Sequence, residues 1–259
     1  YGTTGTPSKF YSIWTEQLEL ANMQTLVTGR MPSKLDEMVY GLFCIHRVPS
    51  IIRNFILFDK KVKKIARYQQ YFGILATLER IKSYKEGTRQ GGLIWHTQGS
   101  GKSLTMVMLT KLIQQEIEGS QVIVVTDRKN LDEQIHTTFM NSEVKAHRAS
   151  SGSNLISLLQ SKKQVITTLV HKFRAVSREK VVLPSSDIFV LVDESHRGHG
   201  GELHQEMRQT FTNGCYLGFT GTPLLKKDQR VMGNALLGFK GMMQMNMMMM
   251  FMNTQMCKH

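Results

Sequence analysis

The chain has 259 residues, enough to bury a real core and to hold one large or two small domains. Its 33 basic and 20 acidic residues give a formal net charge of +13, which favours a polyanionic partner, nucleic acid before membrane. No apolar run approaches the ~20 residues of a membrane span and no signal peptide opens the chain, so no membrane role and a cytoplasmic location are expected. Three scattered cysteines, Cys44, Cys215 and Cys257, form no close zinc-binding pair, and their odd count suits idle thiols better than a disulfide framework.

In chain order, residues 1–7 read as a loop and Phe10-Tyr11-Ser12-Ile13-Trp14 as a mixed aromatic segment. The pattern is helical and apolar over 33–58 (Leu35, Met38, Val39, Leu42, Phe43), with a second helical stretch over 49–58. A basic segment, Lys60-Lys61-Val62-Lys63-Lys64, precedes a helix that runs to about Lys85. Alternating units follow: strand 93–95, helix 103–116, strand 121–126, helix 129–140, helix 153–160, strand 164–168, strand 187–192, helix 202–209 and strand 215–220. Val122-Ile123-Val124-Val125 and Ile188-Phe189-Val190-Leu191-Val192 are apolar throughout, which suits parallel strands covered on both faces. The alternation predicts an α/β domain with a doubly wound, mainly parallel sheet. The expected division is a helical and irregular lead-in at 1–59, the α/β domain at 60–230, and a tail at 231–259. Nine of the 17 methionines fall in the last nineteen residues, with no periodicity, so the tail carries no functional expectation.

Three segments carry chemistry. Gly92 to Ser103 ends an apolar run in Gly99-Ser100-Gly101-Lys102-Ser103 and opens a helical pattern. Glycines let backbone N–H groups turn toward phosphate, and a helix N-terminus adds partial positive charge. Thr97, Gln98, Gly99, Ser100, Gly101, Lys102 and Ser103 are thus the candidate phosphate-binding loop. Lys102 is expected to reach the β- and γ-phosphates of ATP, and Ser103 to place its hydroxyl on Mg²⁺. The strict pattern wants a small residue where His96 stands, and no partner for Lys102 within the protein is legible. About ninety residues on, Val190-Leu191-Val192-Asp193-Glu194 delivers two carboxylates to a strand end, where open α/β sheets bind ligands. Asp193 is expected to hold Mg²⁺, and Glu194 to orient or deprotonate the attacking water. Gly218-Phe219-Thr220-Gly221-Thr222-Pro223 then reads as a coupling segment that senses phosphate state.

Together these segments resemble superfamily 2 helicases and translocases. The wording at 52–56, 64–72, 95–103 (Trp-His-Thr-Gln-Gly-Ser-Gly-Lys-Ser), 125–134 and 218–224 is similar to the motor (R) subunit of type I restriction enzymes. The resemblance covers about residues 1–230. It implies a RecA-like P-loop domain that couples ATP hydrolysis to translocation of duplex DNA ahead of endonucleolytic cleavage. The implied partners are the specificity and modification subunits of a restriction complex. By position, Arg67 and Gln70 match the family's adenine-recognising segment. Thr126, Arg128 and Lys129, and further on Thr168 and Lys172, match segments along its DNA path. His196 matches a relay toward Thr220, Gly221 and Thr222. The family's nuclease centre would precede Tyr1 and the arginines of its second lobe would follow residue 230, so the chain is expected to be half of a motor. Another superfamily 2 helicase, and a catalytically silent nucleotide-binding module, stay open as alternatives.

Overall fold

A computed structural model of the chain describes residues 1–16, 29–96, 99–193, 201–221 and 242–244. The residues divide into two compact units, 1–73 and 74–244.

In the first unit, Ser33 caps helix α1 (Lys34–Phe43). Its hydroxyl accepts from the Asp36 amide while the Asp36 carboxylate accepts from the Ser33 amide, a reciprocal cap. Arg30 adds a two-pronged ion pair to Asp36 and holds that carboxyl well below the usual carboxylate range. Helix α2 (Val48–Asn54) carries Pro49 in its first turn, where a missing N–H costs nothing. The expected helix over 49–58 ends early. Residues 56–59 form strand β1 (Ile56–Asp59), paired antiparallel with β2 (Val62–Ile65). Burial alternates there, with Leu57 inside and Phe58 outside, which is a strand's period rather than a helix's. The reversal is a two-residue turn with Lys60 and Lys61 both at positive φ. No Asn-Gly or Asp-Gly signal announced it. Trp14, Phe55 and Tyr71 are buried together, with ring centroids 4.6–5.4 Å apart. The Arg47 guanidinium lies 5.4 Å from the Trp14 ring and pairs with Glu16 at 2.6 Å.

Helix α3 (Tyr68–Lys82) stops three residues short of the expected end. A small hairpin, β3 (Tyr84–Lys85) and β4 (Thr88–Arg89), follows it, turning on Glu86 and Gly87 at positive φ.

The second unit is built on β5 (Gly92–Trp95), α4 (Lys102–Glu116), β6 (Gln121–Thr126), α5 (Lys129–Asn141), β7 (His147–Arg148), α6 (Gly152–Gln160), β8 (Val165–Leu169), α7 (Phe173–Arg178), β9 (Ile188–Asp193), α8 (Gly201–Thr210), β10 (Cys215–Thr220) and β11 (Met242–Gln244). The strands form one sheet in the order β11-β5-β10-β9-β6-β8-β7, parallel throughout. The expected α/β class and parallel sheet are therefore observed, and three residues of the Met-rich segment extend the sheet edge as β11. Strands β6 and β9 are buried along their whole length because helices cover both faces. One layer is explicit. Ile123, Val125, Val190 and Val192 pack with Leu155 and Leu159 of α6, Phe173 and Val176 of α7, and Met207 of α8. Cys215, a free thiol in β10, is buried and its pKa is pushed up to about 12.

Candidate nucleotide-binding site

Parallel strands all end on one edge of their sheet, and the register aligns three of the motifs there. Thr220 of β10 stands opposite Trp95, the last residue of β5, and Phe219 stands opposite Asp193, the last residue of β9. The loop that begins at His96, the segment that ends β10 at Thr220 and the Asp193 carboxylate thus leave adjacent strands side by side. Segments almost a hundred residues apart in sequence become neighbours only through this strand order.

The loop leaves β5 at His96, and Gly99 and Gly101 adopt φ of 76° and 91°, a left-handed region that a Cβ disfavours. Gly101 then caps α4, whose first turn contains no acidic residue to offset the positive helix end. Lys102 and Ser103 occupy that first turn, half-buried. The Lys102 ammonium lies 2.9 Å from Asp193 Oδ1, with the two side chains 17% and 6% exposed. Lys102 therefore has a partner inside the protein, contrary to the reading of the sequence. The donor set fits ATP with Mg²⁺: backbone amides and an ammonium for phosphate, a hydroxyl and a carboxylate for a hard cation. Among the described residues no group of three His, Cys, Asp or Glu side chains could hold a metal on its own.

Sequence reasoning missed what His96 does. The imidazole is only 2% exposed. Its Nε2 lies 2.8 Å from Thr105 Oγ1, and its Nδ1 is hydrogen-bonded to Ser100 Oγ. Its backbone N–H donates to Thr220 O at 2.7 Å. The available signal was a bulky polar residue where the loop pattern wants a small one.

Of the other expected residues, Gln70 is buried in the first unit and its Oε1 accepts from the Arg67 amide at 2.9 Å, while Arg67 is exposed. Thr220 is fully buried, and Gly221 is half-buried. Thr97, Gln98, Glu194, His196 and Thr222 lie outside the described residues. On the other side of β9, Arg128 and Lys129 are exposed at the start of α5. Thr126 and Thr168 are buried, with their hydroxyls turned to the carbonyls of Arg128 and Leu169. Lys172 donates to Ala149 O, and burial lowers its pKa. Beside it, Asp132 of α5 is buried and pairs with Arg148 at 2.6 Å. His204 is half-buried in α8, and burial lowers its pKa. Its neighbours His196 and His199 are outside the described residues.

The SWI2/SNF2 ATPase family model matches residues 69–244, an interval that contains the phosphate loop, Asp193 and Thr220. The chain belongs to the SWI2/SNF2 ATPase family. This SWI2/SNF2 ATPase is also similar to endonuclease subunits of type I restriction enzymes. The MjaIXP endonuclease subunit of Methanocaldococcus jannaschii, whose name carries a provisional assignment to those enzymes, is 34% identical over 78% of the chain and 20% of the relative. The type I restriction enzyme HindI endonuclease subunit of Haemophilus influenzae is 31% identical over 76% of the chain and 21% of the relative. The chain thus spans about a fifth of the length of these curated relatives. In fold, it matches the UvsW helicase of bacteriophage T4 with a TM-score of 0.55 at 12% identity, over 76% of this chain and 66% of that one. The sheet is therefore RecA-like, and the chain is a helicase-like ATPase motor domain. No helix among the described residues is long and apolar enough to cross a membrane.

Proposed function

We propose that the chain is the ATP-binding first motor lobe of a type I restriction enzyme R subunit, working in the cytoplasm and coupling ATP hydrolysis to movement of duplex DNA. The observation that carries this reading is the Lys102–Asp193 pair at the joined ends of β5, β10 and β9. Lys102 is the residue for the β- and γ-phosphates and Asp193, with Ser103, the residue for Mg²⁺. When bound, Mg²⁺ supplies charge neutralisation to the phosphate oxygens. Binding of ATP with Mg²⁺ exchanges the internal ion pair for phosphate on one side and cation on the other, so neither charge is left buried alone. The amides from Gly99 to Ser103 cradle phosphate, continuing from Thr97 and Gln98. Arg67 and Gln70 serve the adenine. Glu194 takes or orients the proton of the attacking water.

Thr220, Gly221 and Thr222, with His196, carry the state of the site away from it. Because β10 lies between the phosphate loop and Asp193, any shift in their spacing must strain or move the start of that segment. Arg128, Lys129 and Lys172 supply sequence-neutral contact with DNA phosphates, consistent with the +13 charge, while Thr126 and Thr168 shape the strand ends behind them. Translocation and cleavage belong to the whole protein, together with specificity and modification subunits that choose the DNA site.

Nucleotide titration of Lys102→Ala tests the assignment. The variant should lose ATP binding, and its melting temperature should fall because Asp193 is left buried without its cation. Wild-type ATP affinity in the folded variant would refute the loop assignment.

A further inference from the structure

The bonds around His96 have a direction that the geometry determines. The Thr105 hydroxyl lies 3.2 Å from Gly101 O, and a carbonyl can only accept. Thr105 therefore donates its one proton to Gly101 and accepts from His96 Nε2–H at 2.8 Å. Nδ1 is then unprotonated and accepts the proton of Ser100 Oγ–H. The result is a chain of bonds, Ser100 to His96 to Thr105 to Gly101, that starts and ends on the turn of the phosphate loop. Both ring nitrogens are directed to the loop and to the first turns of α4, and neither to the sheet core. The backbone of the same residue is tied to Thr220, which opens the coupling segment. A glycine or alanine at position 96 has no atoms with which to make the two ring contacts.

We propose that His96 is a positioning residue of the nucleotide site: through Ser100 and Thr105 it holds the 99–101 turn in the shape that directs its amides at phosphate. The inference rests on the reading of this site as an ATP site. Two left-handed glycines flank Ser100, so the turn between them is the part of the loop least restrained by its own backbone. Pinning the Ser100 side chain removes that freedom before phosphate arrives, and a ligand that meets an ordered loop loses less entropy on binding. A buried imidazole performs this pinning, and its position on the last rung between β5 and β10 sets the loop's origin against Thr220.

The test is a set of variants of the complete protein, His96→Ala, His96→Asn, Ser100→Ala, Thr105→Val and the His96→Ala/Ser100→Ala double, with Lys102→Ala as reference. ATP and ADP affinities are titrated, and KM and kcat for ATP are measured with DNA present. His96→Ala and Ser100→Ala should each weaken ATP binding up to about tenfold, the scale of one well-placed hydrogen bond, and raise KM with kcat little changed. The double variant should be no worse than His96→Ala, because both changes break one chain of bonds. His96→Asn should recover part of the loss, since its amide offers one acceptor and one donor. Wild-type ATP affinity in folded His96→Ala, or fully additive losses, would overturn the proposal. Should His96→Ala not fold, Ser100→Ala and Thr105→Val decide: weakened ATP binding in both upholds it, and wild-type binding in Ser100→Ala sinks it. A failure of the ATP reading looks different, because the unmutated protein then binds no ATP or Lys102→Ala binds it normally.

Discussion

The two halves of the sheet edge share one architecture and differ in how they hold charge. On the β5–β10–β9 side, charged and polar groups face each other across short, fixed distances: Lys102 meets Asp193, and His96 ties Ser100 to Thr105. On the β6–β8–β7 side, the buried Asp132 is paired with Arg148, and Lys172 donates to a backbone carbonyl. Arg128 and Lys129, at the start of α5, are exposed. The difference teaches what each half suits. A desolvated pair of opposite charges suits a small multivalent anion with its metal, because the ligand offers each member of the pair a replacement partner. Solvated cations on long side chains suit a polyanion read without regard to sequence.

The comparison breaks most sharply at Glu194. In the complete protein, Glu194→Gln should still bind ATP and Mg²⁺ yet turn over at least ~100-fold more slowly, the usual scale for losing a general base. Asp193→Asn should instead shift the Mg²⁺ dependence of turnover to higher concentrations. Steady-state ATPase assays across a Mg²⁺ series separate the two, and normal turnover by both would remove Asp193 and Glu194 from the reaction.

Arg148→Ala probes the other half. It strands the buried Asp132 carboxylate and should cost about 2 kcal/mol of stability, the scale of a hydrogen bond to a charged group. ATP affinity should stay unchanged, because the pair lies on the far side of β9. A urea titration and a nucleotide titration on the same variant check both arms, and a loss of ATP affinity without loss of stability would blur the distinction between the halves.

Smaller again is the effect of the exposed cations. Arg128→Ala and Lys129→Ala should each weaken duplex binding equally across sequences and reduce the slope of log affinity against log salt by about 1. Binding isotherms at several salt concentrations measure the slope, and an effect confined to one DNA sequence would contradict phosphate contact.

The mildest expectation concerns pH. Burial lowers the pKa of His136, His147 and His204 below the ordinary 6.5. The unfolded chain then takes up protons more readily than the folded one once the pH falls below 6.5. Stability should be level above that value and decline below it. Urea midpoints that rise on acidification would contradict the burial of these side chains.

Much of this molecule was legible from its residues. Continuous apolar runs, Val122 to Val125 and Ile188 to Val192, specify buried parallel strands because only a sheet covered on both faces needs them. The loop at 99–103 announces phosphate through glycines that backbone chemistry requires, and these two now stand at φ of 76° and 91°. What stayed illegible depended on side chains distant in sequence or on turns without a signature. Lys60 and Lys61 reverse the chain in a left-handed conformation that lysine does not advertise, which turned an expected helix into a hairpin. The strand order, with β10 placed between β5 and β9, was decided by tertiary structure alone. So were its two consequences, the Lys102–Asp193 pair and the His96 bonds, because sequence spacing carries no record of which strand ends become neighbours.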